Sequence, residues 1–275
     1  HDGVVGSSFA FAAYTELAGR GPFGSGQYTL RRHMGASAAA AALEKPAKQH
    51  YQKLALPPGL TLAEIAQRVG ALHGMSADTF LALARSDTVR SQFEAPTVHS
   101  LEGLSWPDTY YISSSDEEED VLRRIVAAFD AHAKQLGLVP GRDDEAVVIA
   151  SLVEKEAKLD SDRPLISAVI WNRLQLGMPL QIDATVLYAR GSAHGPITSA
   201  DFKLPSAYNT YRVKGLPPTP IATVSAASLR AARSPAKVSY LYYVLIGANG
   251  QQAFATTYAQ QEHNVALARA RGLLR

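Results

Sequence analysis

Two glutamates two positions apart, Glu154 and Glu156, follow a stretch, residues 146–153, in which every residue except Ser151 is apolar. A helix without a polar face is buried on most sides. A carboxyl at the end of such a helix is partly desolvated, which favours its protonated form, the form a general acid needs. Glu154, which extends the apolar run directly, is the candidate. Glu156 falls about 200° further round the helix, so the two cannot face one cleft. A glycosidase-like centre would then take its second carboxylate from elsewhere, or need none. The same residues also fit a helix that ends at Val153 with a solvated last turn, and composition alone favours that version.

Other groups could join this chemistry. Arg173 lies on an apolar stripe with Ile166, Val169, Ile170 and Leu174, and a charge there reads better as a structural partner for Glu156, Asp160 or Asp162 than as a reacting group. Gln181, Asp183, Thr185, Tyr188, Tyr208, Asn209 and Tyr211 recur in a segment punctuated by Pro and Gly. Amides, hydroxyls and aromatic rings along a cleft suit a sugar chain, whose hydroxyls need directed hydrogen bonds and whose ring faces need flat apolar surfaces. Asp183 fits a helix N-cap equally well.

Composition removes the main competitors. The 275 residues carry 27 Lys+Arg against 25 Asp+Glu, a formal charge of +2 spread along the chain, which is no nucleic-acid footprint. With no cysteine there are no disulfides, Cys-based zinc sites or thiol nucleophiles. The sequence holds no HExxH, no Walker-type loop and no GxSxG elbow, and "GPFGSG" lacks the lysine of a phosphate loop. No metal or cofactor is expected. No run is long and apolar enough for a membrane span, and the opening residues do not form a signal peptide. The chain begins abruptly, with Ser7 or Ser8 capping a helix, and reads as a soluble piece of something longer.

The positioning elements are legible from caps and periodicity. Residues 24–30 read as turn then strand, 36–43 as an alanine-rich helix, and 51–56 as a strand. Thr61 with Glu64 forms a capping box, and Ser76 caps the next helix. Within this part, "GLTLAEIAQRVGALHGMSADTFLALA" resembles a LysM-type peptidoglycan-binding module, although a plain structural α+β module fits it too. A boundary is expected at residues 101–107. Beyond it, Ser115 with Glu118 reads as a capping box for a helix to about Leu136, with the acidic run 116–120 on its first turns. Helices over 164–176, from Ser225 to Arg233, and over 258–271 follow, with a hairpin between the last two over 240–256. The expected fold is α+β: a small LysM-like module over residues 1–100 and a mixed α/β catalytic domain over 101–275.

Four segments in order, "ASLVEKEAKLDSDRPLISAVIWNRLQLGMPLQIDATVLYARG", "LPSAYNTYRVKGLPPTPI", "SLRAARSPAKVSYLYYV" and "TTYAQQEHN", strongly resemble the MltG (YceG-like) endolytic murein transglycosylases. The resemblance covers about residues 101–264 and is looser before them. It implies a bacterial cell-envelope enzyme, held by one N-terminal membrane helix with its body outside the cytoplasmic membrane. Such an enzyme cuts the β-1,4 bond after N-acetylmuramic acid in nascent peptidoglycan and leaves 1,6-anhydro ends without using water. Peptidoglycan synthases, the penicillin-binding proteins, are the implied partners. The resemblance places the catalytic glutamate on Glu154, the first of "VEKE", with Gln181, Asp183, Tyr208, Asn209 and Tyr211 on the substrate, while the residues themselves give Glu156 and Arg173 a supporting role. Three positions depart from the family pattern: Ala184 for Pro, Thr219 for Gly, and Gln252 near a common His. A hydrolytic muramidase using Asp183 or Glu156 as second carboxylate, and a non-catalytic peptidoglycan-binding scaffold, are the alternatives.

Overall fold

A computed structural model describes residues 3–24, 28–45, 51–94, 99–192 and 195–274. Two short helices come first, α1 (Ser8–Leu17), capped by the Ser7 side chain, and α2 (Ala36–Leu43). Of the strand expected over 24–30, residues 25–27 lie outside the described residues, and Tyr28–Leu30 are without regular structure. Strand β1 (Tyr51–Leu56) leads into α3 (Leu62–Gly70) and α4 (Ala77–Ala84). Both caps act as their sequence predicts: Thr61 and Glu64 close a reciprocal box, and the Ser76 side chain accepts from Thr79 N–H. Leu62, Ile65, Ala66 and Val69 form the buried stripe of α3.

The next strand, β2 (Asp108–Ser113), has no counterpart in the sequence reading. It pairs antiparallel with β1, Tyr51 opposite Ser113 and Leu56 opposite Asp108. The result is a β-α-α-β unit whose closing strand lies beyond residue 100, so a cut there would leave β1 without its partner. Residues 101–107, expected as a boundary, are instead packed inside: Leu101, Glu102, Leu104 and Ser105 are all buried. Glu102 accepts from Leu62 N–H at 2.8 Å, which satisfies one orphan donor of α3, and from the Tyr188 hydroxyl at 3.0 Å. Further seams run from the β1–α3 turn to residue 223: Gly59 N–H donates to Thr223 O, Thr223 N–H to Leu60 O, and Leu60 N–H to Thr223 Oγ1.

The remaining helices are α5 (Glu118–Gln135), α6 (Asp144–Glu156), α7 (Arg163–Gln175), α8 (Asp183–Ala189), α9 (Ala226–Arg233) and α10 (Tyr258–Ala270). Strands β3 (Tyr242–Leu245) and β4 (Gln252–Ala255) form an antiparallel hairpin before α10. The α5 cap differs from expectation by two residues. Glu117 and Asp120 form the box, while Ser115 turns to Ser113 and the Glu118 carboxylate accepts from Ser76 N–H, fastening α4 to α5. Helix α6 runs through the centre of the core, with Ala146, Val147 and residues 149–153 buried. Its one polar interior residue is satisfied twice: Ser151 Oγ donates to Val148 O and accepts from Ile221 N–H.

Gly103 shows how tightly the two parts are joined. Its φ is +74°, and a Cβ there would stand 2.4 Å from Pro220 Cβ and 2.8 Å from Ala222 O. Backbone strain and overlap then add. Gly103→Ala is expected to lower the unfolding free energy by about 2 kcal/mol or more, read as a shift of the denaturant midpoint at unchanged slope; an unchanged midpoint would show that residues 101–107 give way freely.

Candidate active site

The last turn of α6 sends its two carboxylates to different neighbours. Glu154 Oε2 accepts from Ser225 N–H at 2.9 Å and Ser225 Oγ–H at 2.6 Å, and lies 3.3 Å from Arg163 Nη1. Its side chain is 6% exposed and that of Arg163 12%. Ser225 is the N-cap of α9 and Arg163 opens α7, so Glu154 knots three helix ends together. Arg163 completes the knot by donating to Asp160 and to Ser228 Oγ. The hydrogen-bond and ion-pair partners of this carboxylate are all donors, which hold it in one place.

Glu156 turns the other way, toward α8 and the hairpin. Its Oε2 accepts from the Tyr243 hydroxyl at 3.2 Å. Burial pushes its carboxyl up to about 7, and the negative charge of Asp183 pushes the same way; the Tyr243 hydroxyl, Ala184 N–H and Lys158 oppose them. Asp183 in turn accepts from the Tyr211 hydroxyl at 2.6 Å. Asp183 is the first residue of α8, whose N-cap is Ile182, and its side chain meets Tyr211 rather than capping the helix. Burial holds both Tyr211 and Tyr243 in their hydroxyl form, so each remains a donor to a neighbouring carboxylate.

The segment that brings Asp183 here is laced from below. Gln181 N–H donates to Thr210 O and Ile182 N–H to Thr210 Oγ1, which also meets Thr185 Oγ1 at 2.9 Å. Gln181 sits at φ +50° and is exposed. Arg173 donates to Leu241 O and Leu180 O, both at 2.7 Å, and lies 5.4 Å from the Tyr242 ring centroid. It thus ties the hairpin to the α8 segment. The carboxylate partner expected for it among Glu156, Asp160 and Asp162 is replaced by main-chain carbonyls: Asp160 is held by Arg163, and Asp162 accepts from Gln252 N–H.

Two expected substrate contacts point elsewhere. Asn209 is fully buried and spends its amide on Phe202 O and Leu204 O, while its Oδ1 accepts from Tyr211 N–H. It shapes the loop that carries Tyr211 and has no surface to offer a glycan. Tyr208 bonds Thr219 Oγ1 at 2.8 Å and packs on Tyr188, centroids 4.7 Å apart, beside Glu102. Residue 219, where the family pattern has Gly, thus supplies a hydroxyl to this cluster. Glu102 is the other carboxyl pushed up to about 7, by burial chiefly, against Leu62 N–H, the Tyr188 hydroxyl and Gly103 N–H. Tyr242, Tyr243 and Glu102 were absent from the sequence-based site; the aromatic run "YLYY" was the available signal for the first two. Among the described residues no three His, Cys, Asp or Glu side chains converge as a metal site.

The YceG-like family model matches residues 1–267 of the chain. An endolytic murein transglycosylase of Bacillus subtilis (strain 168) is 31% identical over 281 residues, covering 96% of this chain and 77% of that protein. One from Streptococcus pneumoniae serotype 2 is 31% identical over 297 residues, with 96% of this chain matching 54% of that protein, so the chain spans about half its length. The crystal structure of a YceG-like protein from Listeria monocytogenes superposes with a TM-score of 0.68 at 26% identity, covering 95% of this chain and 91% of that one.

Because Asp183 raises the Glu156 carboxyl through its negative charge, Asp183→Asn is expected to bring that carboxyl down from about 7 toward the ordinary glutamate range. A carboxyl-carbon NMR titration reads this directly. A Glu156 midpoint unmoved or raised in the variant would mean that the two groups are not electrostatically linked.

Proposed function

The chain belongs to the YceG-like family, and from that premise we propose that it is an endolytic murein transglycosylase whose general acid and base is Glu156. The observation that carries the assignment is the contrast at the end of α6. Glu154 is closed off by Ser225 and Arg163, whereas Glu156 meets Asp183, Tyr211 and Tyr243 with its carboxyl pushed up to about 7. A carboxyl poised there is part protonated and part ionised at neutral pH, which suits a group that gives a proton and takes one back.

In the proposed reaction, protonated Glu156 delivers its proton to the glycosidic oxygen as the bond to C1 of N-acetylmuramic acid breaks. The substrate's own acetamido oxygen supports the positive charge that develops at C1. The N-acetylglucosamine side leaves as a free hydroxyl. Ionised Glu156 then removes the proton from the muramic C6 hydroxyl, whose oxygen bonds to C1 and closes the 1,6-anhydro ring. No water is consumed and the acid returns to its starting form. The Tyr243 hydroxyl holds the carboxyl in place between the two proton transfers, and Asp183 keeps its affinity for the proton high.

The same reading extends to the rest of the molecule. The β-α-α-β order of β1, α3, α4 and β2 supports a LysM-like, glycan-binding role for residues 51–113. No helix among the described residues is long and apolar enough to cross a membrane. On the family resemblance, we place the body on the outer face of the cytoplasmic membrane, tethered by a preceding helix, with penicillin-binding proteins as neighbours.

Glu156→Gln keeps the shape of the side chain and removes the transferable proton. Release of anhydro-ended strands is expected to fall by about 10²-fold to 10⁴-fold, measured by mass spectrometry of digested peptidoglycan. Glu154→Gln is expected to lower thermal stability, since it strips the charge from a buried ion pair, while the folded fraction goes on cutting. The reverse pattern, Glu156→Gln active and well-folded Glu154→Gln inert, would return the acid to Glu154. Reducing ends in place of anhydro ends would make the enzyme a hydrolase.

A further inference from the structure

The segment "TTYAQQEHN" carries no part of the reaction just described, yet it faces a second opening. Tyr240, Phe254, Thr256, Ala259, Gln260, His263 and Asn264 line a cavity of about 610 Å³ between the hairpin and α10. One wall is aromatic: the Tyr240 and Phe254 rings stack with centroids 5.6 Å apart at 26°. The other wall is polar, because Gln260, His263 and Asn264 stand at i, i+3 and i+4 on one face of α10. Gln260 Oε1 accepts from Thr256 N–H at 3.0 Å and Thr257 N–H at 3.1 Å, which fixes the amide and leaves its NH₂ free to donate. Among the described residues the side chains of His263 and Asn264 give no hydrogen bond to another protein group. The lining contains no Asp, Glu, Lys or Arg.

An apolar ring wall facing uncharged donors and acceptors does not suit an anion, a cation or a peptide terminus. It suits a ligand with one flat apolar face, several hydroxyls and an amide. The cavity is also joined to the reacting group. Tyr243, which holds Glu156, lies directly opposite Phe254 in the hairpin, so both side chains share one face, with centroids 6.2 Å apart. Phe254 then leads to Tyr240. We propose that this cavity is a saccharide subsite, holding one N-acetylhexosamine ring of the glycan strand at a distance from the bond that is cut. Its ring face rests on Tyr240 and Phe254, and its hydroxyl and acetamido groups bond Gln260, His263 and Asn264. The proposal rests on the glycan-cutting function above and adds to it a preference for strands long enough to span both places.

The test uses the whole chain carrying Glu156→Gln, so that strands bind without being cut. Titration calorimetry is run with short and long N-acetylglucosamine–N-acetylmuramic acid oligomers, with Asn264→Ala or Ala259→Trp added, the second filling the cavity. Each addition is expected to weaken binding of long oligomers by about three- to tenfold, the loss of a hydrogen bond or two, and to leave short ones unchanged, at unaltered melting temperature. In the active chain the same changes are expected to raise KM for long strands and spare kcat. Equal losses for both lengths, or none, would overturn the subsite. If the unmodified chain released no anhydro ends while the length-dependent loss remained, the function assigned to Glu156 would fall and the subsite would stand.

Discussion

The carboxylate of Glu154, shut in by Ser225 and Arg163, fixes where α6 stops, where α7 starts and where α9 starts. Two residues further on, the backbone has no choice about where Glu156 emerges. A buried charge matched by a buried guanidinium is costly to disturb, because removing either partner strands the other. The cost of displacing Glu156, the proposed acid, is thus carried by a neighbouring carboxylate that is tied to Ser225 and Arg163. The three helix ends meet at a charge, and Glu156 inherits their precision.

Burial lifts two carboxyls to about 7, and their surroundings separate their roles. Glu102 faces the N–H groups of Leu62 and Gly103 and a tyrosine hydroxyl, so its oxygens are committed to holding α3 against α8. Glu156 faces a second carboxylate, Asp183, on an exposed loop-to-helix junction. A like charge nearby, with burial, suits the proton exchange proposed for Glu156. A donor on each oxygen makes Glu102 a carboxyl that serves as a fastening.

Much of this was written locally in the sequence. Thr61, Ser76 and Ser225 cap the helices that their types and spacing indicate, and the apolar run before Glu154 is the buried axis of the core. What escaped depends on distant partners. Helical spacing shows that Glu154 and Glu156 diverge, but only Ser225 and Tyr243, far along the chain, decide what each carboxylate meets. Asn209 reads as a polar cleft residue because its type suits a sugar, and nothing nearby in sequence reveals the carbonyls of Phe202 and Leu204 that consume its amide. Strand β2 was hidden behind the boundary expected over residues 101–107, within which the missing side chain of Gly103 is what admits Pro220.

The pairing of β1 with β2 also sets an order of events during synthesis. When Tyr51–Leu56 leaves the ribosome its hydrogen-bonding edge has no mate, and α3 and α4 are made before Asp108–Ser113 appears. The helices, with local bonds, can form meanwhile, whereas the sheet waits for a loop to close around them. Until then the apolar side of β1, Leu54 and Leu56, is open to other chains. A nascent chain arrested between α4 and β2 would therefore carry a strand in search of a partner, and a chaperone or a second nascent copy would compete for it.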